Sequence, residues 1–315
     1  MGQVFLARDQ RLDREVALKI LGDRALDAAA RERFQTEARA IARLTHPNVV
    51  AIYRVGEVAG RPYLVSEYAP GQSLRALHKP LPPAEVLNLA VGLCRGLAAA
   101  HQRGVLHRDI KPANVILGAH GEVKLLDFGL AKLLEALPQD NPDDPDNPGG
   151  VAEVHAEAMP PDLTLDAALT ATGVVVGTPL YLAPECFAGA PASVASDIYA
   201  LGAVLYELCA GEPPLRAESL GALARLGRER GASPLYLAAP TVPPALAAII
   251  DRCLRRDPAD RFPSCEALLE ALLPHASPHR REWLCRDMDL APLHGEPRFI
   301  ALLRQHGVRL PGESE

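Results

Sequence analysis

Two short polar runs hold the residues in this sequence that could carry chemistry. The run HRDIKPAN at residues 107–114 contains Asp109, Lys111 and Asn114, and a later DFG run begins at Asp127. Carboxylate and amide oxygens are hard ligands of the kind that Mg²⁺ accepts beside phosphate oxygens and water. A lysine close to them adds positive charge. These residue types together suit a metal-dependent reaction at a phosphate group, which needs positioning and charge neutralisation more than covalent chemistry.

Two further motifs place these runs in a recognisable order. VALK at residues 16–19 precedes them, and APE at residues 183–185 follows them. One such motif alone would be weak evidence, but the joint order resembles the protein kinase family over residues 2–273. HRDIKPAN and GTPLYLAPE (177–185) are most similar to the bacterial eukaryotic-like Ser/Thr kinases. The resemblance implies a non-specific serine/threonine protein kinase that transfers the ATP γ-phosphoryl to Ser or Thr hydroxyls of protein substrates.

The resemblance assigns a catalytic task to each residue of the polar runs. Asp109 would accept or orient the proton of the substrate hydroxyl. Lys111 would place positive charge on the transferred phosphoryl and is typical of Ser/Thr rather than Tyr kinases. Asn114 and Asp127 would hold Mg²⁺, or Mn²⁺ in its place.

The same resemblance implies an ATP site between two lobes. Lys19 would hold the α- and β-phosphates, and an ion pair from Glu37 would fix Lys19 in place. Backbone groups of the hinge at 67–69 would bond the adenine edge. Ser66 falls at the gatekeeper position, where a small residue leaves a back pocket open. The implied ATP-binding residues are Gly2, Val4, Ala17, Lys19, Glu37, Ser66, Glu67, Ala69, Ile116 and Asp127, with Val4, Ala17 and Ile116 around the adenine.

Other matching positions have implied structural tasks. His107 and Phe128 would join the lobes in an apolar stack with Ile41 and Ile52, and Asp197 would hold the backbone at His107 and Arg108. Glu185 would pair with Arg261 in a buried bond whose loss would leave an uncompensated charge.

The activation segment, 127–185, is implied to carry the regulatory switch. Thr170 and Thr172 precede GTP at 177–179, where similar kinases autophosphorylate, and Arg108 is the natural cation for such a phosphate. This mode of regulation also implies self-association for trans-autophosphorylation. An acidic insert at about 136–163 has a composition that predicts disorder.

The elements that must position these residues indicate the α+β class, with a two-lobed protein-kinase-like fold. Residues 1–69 are expected to form an N-lobe with a small antiparallel sheet and one main helix. This helix is predicted from Ala28 to Leu44, where Phe34, Ala38, Ile41 and Leu44 recur at helical spacing. Residues 70–273 are expected to form a larger, mainly helical C-lobe, in which short β-like runs at 105–106, 115–117 and 123–126 frame two polar loops. Residues 274–315 would be a tail with a short amphipathic helix at 297–306.

Composition excludes several other classes. The net charge of −6 shows no basic face for nucleic acid, and the longest apolar run, 198–210, is shorter than the roughly 20 residues that span a membrane. The six cysteines lie far apart, without zinc-ligand spacing. We therefore expect reduced thiols, a cytoplasmic protein, no nucleic-acid partner and no membrane segment in this chain.

The phosphate lid departs from the family pattern. Of Gly-x-Gly-x-x-Gly-x-Val, only the last glycine, Gly2, and the valine, Val4, are present. We expect an N-terminally truncated catalytic domain, from a start assigned too far downstream or a longer chain. The alternative is a weak or inactive pseudokinase that serves as a nucleotide-binding scaffold. A small-molecule phosphotransferase is a third reading, which the peptide-docking segment at 177–185 disfavours.

Overall fold

A four-stranded antiparallel sheet forms the N-terminal part of the protein in the computed structural model. The structure describes residues 3–21, 28–58, 61–129 and 178–276. The strands follow the order β1-β2-β4-β3, and the pairing register sets Ala17 opposite Ser66. Their bounds are β1 Gln3–Asp9, β2 Arg14–Ile20, β3 Ile52–Val58 and β4 Arg61–Glu67.

Helix α1 (Ala28–Ala42) packs on this sheet through a single apolar stripe. Phe34, Ala38 and Ile41 recur at helical spacing and are all buried. The helix ends before the HPN run at 46–48, where the Asn48 amide hydrogen donates to His46 Nδ1 at 3.0 Å. The predicted helix and the residues of its buried stripe are therefore confirmed.

A three-stranded antiparallel sheet frames the two polar loops. It consists of β5 (Gln72–Ser73), β6 (Val115–Leu117) and β7 (Val123–Leu125). The Asn48 side chain donates to the Val123 carbonyl at 2.8 Å, which ties the segment after α1 to this sheet.

One predicted β-like run is wrong. Residues 105–106, which lie within the described part of the chain, form no strand. Helix α2 (Pro83–His101) ends just before them, and Gly104 turns the chain with a φ of 71°. The Val105 amide then donates to the Ala100 carbonyl at 3.0 Å, so this backbone closes the end of α2 instead of pairing with a strand.

Helices make up the remainder of the described C-terminal part. The central one, α4 (Val194–Ala210), is buried over most of its length because it is apolar on nearly every side. A capping box between Ser193 and Ser196 begins α4, and Gly211, with a φ of 85°, ends it. The described helices from Pro184 onward are α3 Pro184–Phe187, α4 Val194–Ala210, α5 Leu220–Glu229, α6 Leu235–Ala238, α7 Pro244–Cys253 and α8 Cys265–Leu272.

The architecture is the expected two-lobed α+β fold. The larger core lies between α2, α4, α7 and α8, where Leu97, Leu201 and Leu268 are fully buried. The cysteines of the described ranges are free thiols, and Cys285 lies outside those ranges. Among the described helices, none has the length and apolarity needed to cross a membrane.

Candidate active site

The loop between α2 and β6 brings two of the predicted catalytic side chains, Lys111 and Asn114, to the carboxylate of the third, Asp109. Lys111 Nζ lies 2.6 Å from Asp109 Oδ2, and Asn114 Nδ2 lies 2.9 Å from the same oxygen. A single 3-10 turn, Pro112–Asn114, brings Asn114 back to Asp109, whose backbone carbonyl it also contacts at 2.8 Å. The lysine and the amide donor hold this carboxylate in a fixed position, as a group that accepts a proton from a bound hydroxyl requires.

Asp197 fixes the backbone of this loop from below. Its carboxylate accepts from the His107 amide at 2.8 Å and from the Arg108 amide at 2.9 Å. Arg108 has a φ of 63°, a conformation that is uncommon for a non-glycine residue and needs support from its surroundings. Asp197 is only 2% exposed and lies in the first turn of α4, so the predicted anchoring role agrees with the geometry.

His101 is a further site residue that the sequence pattern did not identify. Its Nε2 lies 2.9 Å from Asp197 Oδ2, which makes it a further partner of the anchoring carboxylate. The signal was present in the sequence, because His101 is a polar residue on the same helical stripe as Val86, Ala90, Leu93 and Leu97, which are buried in α2. A polar side chain on such a stripe needs a hydrogen-bond partner.

His107 and Phe128 stack inside the molecule, as predicted. Their ring centroids are 4.5 Å apart, and both side chains are buried. Burial lowers the pKa of His107, and the nearby Asp197 and Asp109 only oppose that change. A neutral ring fits the observed contact, in which the Asp109 amide donates to His107 Nδ1 at 3.3 Å.

The structure does not bring Lys19 and Glu37 together as the predicted ion pair. Among the described residues, Lys19 Nζ lies 2.7 Å from Asp127 Oδ2, whereas Arg108 Nη1 lies 3.0 Å from Glu37 Oε1. Both arrangements would pair two carboxylates with two cations. The position of α1, which carries Glu37 over Arg108, therefore decides between them.

A cleft of about 200 Å³ lies between the sheet β1–β4 and the loop region below it. It brings together most of the predicted ATP-binding residues, although Glu37 is not among those that line it. Ser66 leads to an inner apolar end formed by Ile41, Ile52 and Phe128. The predicted residues that line the cleft are Val4, Ala17, Lys19, Ser66, Glu67, Ala69, Ile116 and Asp127.

Side-chain and backbone contacts of Glu67 fix the position of the hinge. Glu67 Oε1 pairs with Lys124 Nζ at 2.7 Å, and the Glu67 amide donates to the Ala51 carbonyl at 2.9 Å. These contacts fix strand β4 at the point where the chain crosses to the C-terminal part. Backbone groups from Glu67 to Ala69 are thus set at the edge of the cleft.

The predicted metal ligands come from neighbouring elements. The Leu126 amide donates to the Asn114 carbonyl at 2.9 Å, which places the DFG run directly beside the catalytic loop. The site therefore offers the carboxylate oxygens of Asp127 and the amide oxygen of Asn114. Such a set of hard oxygen donors fits Mg²⁺ or Mn²⁺, which would take its other ligands from phosphate and water.

Glu185 and Arg261 form the predicted buried pair. The guanidinium donates to both carboxylate oxygens, at 2.6 and 2.7 Å, and also to the Ala195 carbonyl at 2.9 Å. The Arg261 side chain is fully buried. This bidentate bond ties the end of the activation segment to the helical core.

Several predictions fall outside the described residues. They concern Gly2 of the phosphate lid, the phosphorylation sites Thr170 and Thr172, the acidic insert at 136–163 and the tail helix at 297–306.

Comparison with known proteins gives consistent matches. The model of the protein kinase domain family matches residues 1–273. A probable serine/threonine-protein kinase of Corynebacterium efficiens is 35% identical over 274 residues, which cover 83% of this chain and 37% of that protein. The serine/threonine-protein kinase PknB of Mycobacterium leprae is 33% identical, over 97% of this chain and 47% of its own length. This chain thus spans less than half of either relative.

Solved structures agree with the sequence matches. The crystal structure of the PknI kinase domain from Mycobacterium tuberculosis, in a point-mutant form, has a TM-score of 0.60 and 29% sequence identity to this chain. The match covers 86% of this chain and 89% of that domain.

Proposed function

Because this chain belongs to the protein kinase domain family, we propose that it is a protein Ser/Thr kinase that transfers the γ-phosphoryl of ATP to protein hydroxyls. The observation that carries this proposal is the grouping of Lys111 and Asn114 around Asp109, directly beside the cleft that contains Lys19 and Asp127. A base for an acceptor hydroxyl and ligands for a nucleotide-bound metal are therefore adjacent.

In this proposal Asp109 accepts or orients the proton of the substrate hydroxyl. Asn114 fixes the Asp109 carboxylate through its 2.9 Å contact, and Lys111, which lies 2.6 Å from the same carboxylate, is placed to neutralise the transferred phosphoryl. Asp197 keeps the loop in its strained backbone conformation. Positioning and charge neutralisation, rather than a covalent intermediate, do the catalytic work.

The cleft holds the nucleotide. Val4, Ala17 and Ile116 would enclose the adenine, the hinge backbone would bond its edge, and Lys19 would hold the α- and β-phosphates. Mg²⁺ or Mn²⁺, held by Asp127 and Asn114, would supply charge neutralisation at the phosphates. Lys19 must leave its contact with Asp127 before it can hold the phosphates.

The first experiment compares the protein with Asp127→Asn. We expect phosphate transfer from MgATP to a panel of basic and acidic proteins, and a loss of at least about 100-fold in the variant, since a metal ligand is removed. Asp260→Asn is a matched control at an exposed position and should retain activity.

The outcome also decides between the kinase and the pseudokinase alternative. Nucleotide binding by both proteins without transfer by either would favour a pseudokinase. Transfer that survives in Asp127→Asn would contradict the assigned site.

We propose that autophosphorylation at Thr170 or Thr172 regulates the activity, with self-association allowing reaction in trans. Mass spectrometry after incubation with MgATP should find phosphate on one of the two threonines. An active preparation without phosphate on either residue would exclude this switch.

We also propose a cytoplasmic setting for this kinase, since the cysteines of the described ranges are free thiols.

A further inference from the structure

Glu207 is a buried carboxylate on α4 whose two oxygens have separate partners. Lys79 forms an ion pair with Oε1, and the Tyr181 hydroxyl donates to Oε2 at 2.5 Å. Glu207 is 8% exposed, so its charge is compensated by Lys79 inside the protein rather than by water. Lys79 belongs to the segment between β5 and α2, far from Glu207 in the sequence.

The network of Lys79, Glu207 and Tyr181 reaches the place where a substrate would dock. Tyr181 belongs to the segment 178–185 and lines a small cavity of about 40 Å³ together with Arg108 and Asp109. Asp109 is the proposed acceptor of the hydroxyl proton. Glu207 is therefore one hydrogen bond away from the wall of the cavity that contains the catalytic carboxylate.

The surroundings of Tyr181 add positive charge. Burial and the hydrogen bond to Glu207 raise the pKa of Tyr181, and Arg75 and Arg216 oppose that rise because they are close cations. Both arginines are exposed, and Arg216 also contacts Glu212 at 3.0 Å. Because Lys79 neutralises Glu207, the described residues around Tyr181 carry little uncompensated negative charge. They therefore offer little attraction to a basic side chain of a substrate.

We propose that Lys79 is a specificity-determining residue, which occupies Glu207 and thereby directs the enzyme to substrates with neutral or acidic residues beside the acceptor hydroxyl. This inference rests on the proposed kinase function. If Lys79 were absent, Glu207 would be a partly uncovered carboxylate next to the docking segment and would attract a cation from the substrate.

The first test uses the unmodified protein and synthetic peptides with one Thr acceptor. Peptides with Arg, Ala or Glu within three residues on either side of the Thr are compared by kcat/KM. We expect the Glu and Ala peptides to be used at least as well as the Arg peptides. A preference of about tenfold or more for an Arg peptide, the size of one charge-assisted hydrogen bond, would overturn the proposal.

The second test uses variants of the network. Lys79→Ala should raise kcat/KM for an Arg peptide relative to the Ala peptide by roughly tenfold. Lys79→Arg keeps the cation and should retain the original preference, and Lys79→Ala/Glu207→Gln should lose the acquired one. An unchanged peptide ratio in folded Lys79→Ala would contradict the proposal, because a merely structural role would lower all rates alike.

The two levels of inference fail differently. Absence of transfer to every peptide and protein would reject the kinase function itself. Transfer with the wrong peptide ratios would reject only the role of Lys79. Thermal unfolding shows whether each variant is folded. If Lys79→Ala does not fold, the peptide preference of the unmodified protein still tests the proposal.

Discussion

Ser66 shows how one small side chain shapes the cleft. It lies on β4 opposite Ala17, and the inner end of the cleft beyond it is formed by Ile41, Ile52 and Phe128. A serine at this position leaves room that a larger side chain would fill. The cleft therefore extends from the hinge into an apolar region.

We predict that Ser66→Met weakens the binding of a bulky adenine-site inhibitor by roughly tenfold, because the methionine occupies the space for its apolar group. Calorimetric titration measures the affinity. A smaller analogue without the bulky group serves as a control and should bind both proteins alike. Equal affinities of the bulky compound for both proteins would show that it does not enter the inner region.

At the scale of the element, helix α1 determines which ion pairs form. Glu37 contacts Arg108, and Lys19 contacts Asp127, so the cation expected to bind phosphates lies against the carboxylate expected to bind metal. The Glu37 and Arg108 side chains are each one-third exposed, so their pair contributes little free energy. A small change in the free energy of the Glu37–Arg108 pair can thus decide whether Glu37 pairs with Arg108 or with Lys19.

We predict that Arg108→Ala raises the affinity for MgADP by up to about fivefold, because Glu37 becomes available to Lys19 and Asp127 is released for metal. Isothermal titration measures the dissociation constant. Arg108→Ala/Glu37→Gln, which cannot form the new pair, should lose the gain. Weaker binding by Arg108→Ala than by the unmodified protein would contradict this account.

For the molecule as a whole, Arg261 connects regions that are distant in sequence. It donates to Glu185 at the end of the activation segment and to the Ala195 carbonyl at the start of α4, and its side chain is fully buried. Its guanidinium carbon lies 4.9 Å from the centre of the Tyr199 ring. The docking segment is thus fastened to the core of the C-terminal lobe.

We predict that Glu185→Gln lowers the free energy of unfolding by about 3 kcal/mol, because it leaves the Arg261 charge uncompensated in the interior. Urea unfolding measures this change. Glu212→Gln removes the carboxylate of an exposed ion pair with Arg216 and should cost about 1 kcal/mol or less. Equal losses in the two variants would show that burial does not set the importance of the Glu185 pair.

The sequence by itself determined the family, the two-lobed α+β fold and most of the cleft residues. Motif order identified Asp109, Asn114 and Asp127, and helical spacing identified the buried stripe of α1. These features could be predicted because they depend on residue types and on separations along one element.

Only the tertiary structure decided which charged groups pair. Lys19 contacts Asp127 instead of Glu37, His101 contacts Asp197, and Lys79 contacts Glu207. Each choice depends on how elements distant in sequence pack together. Charges can pair in several ways over similar distances, and only the packing of helices and loops selects one of them.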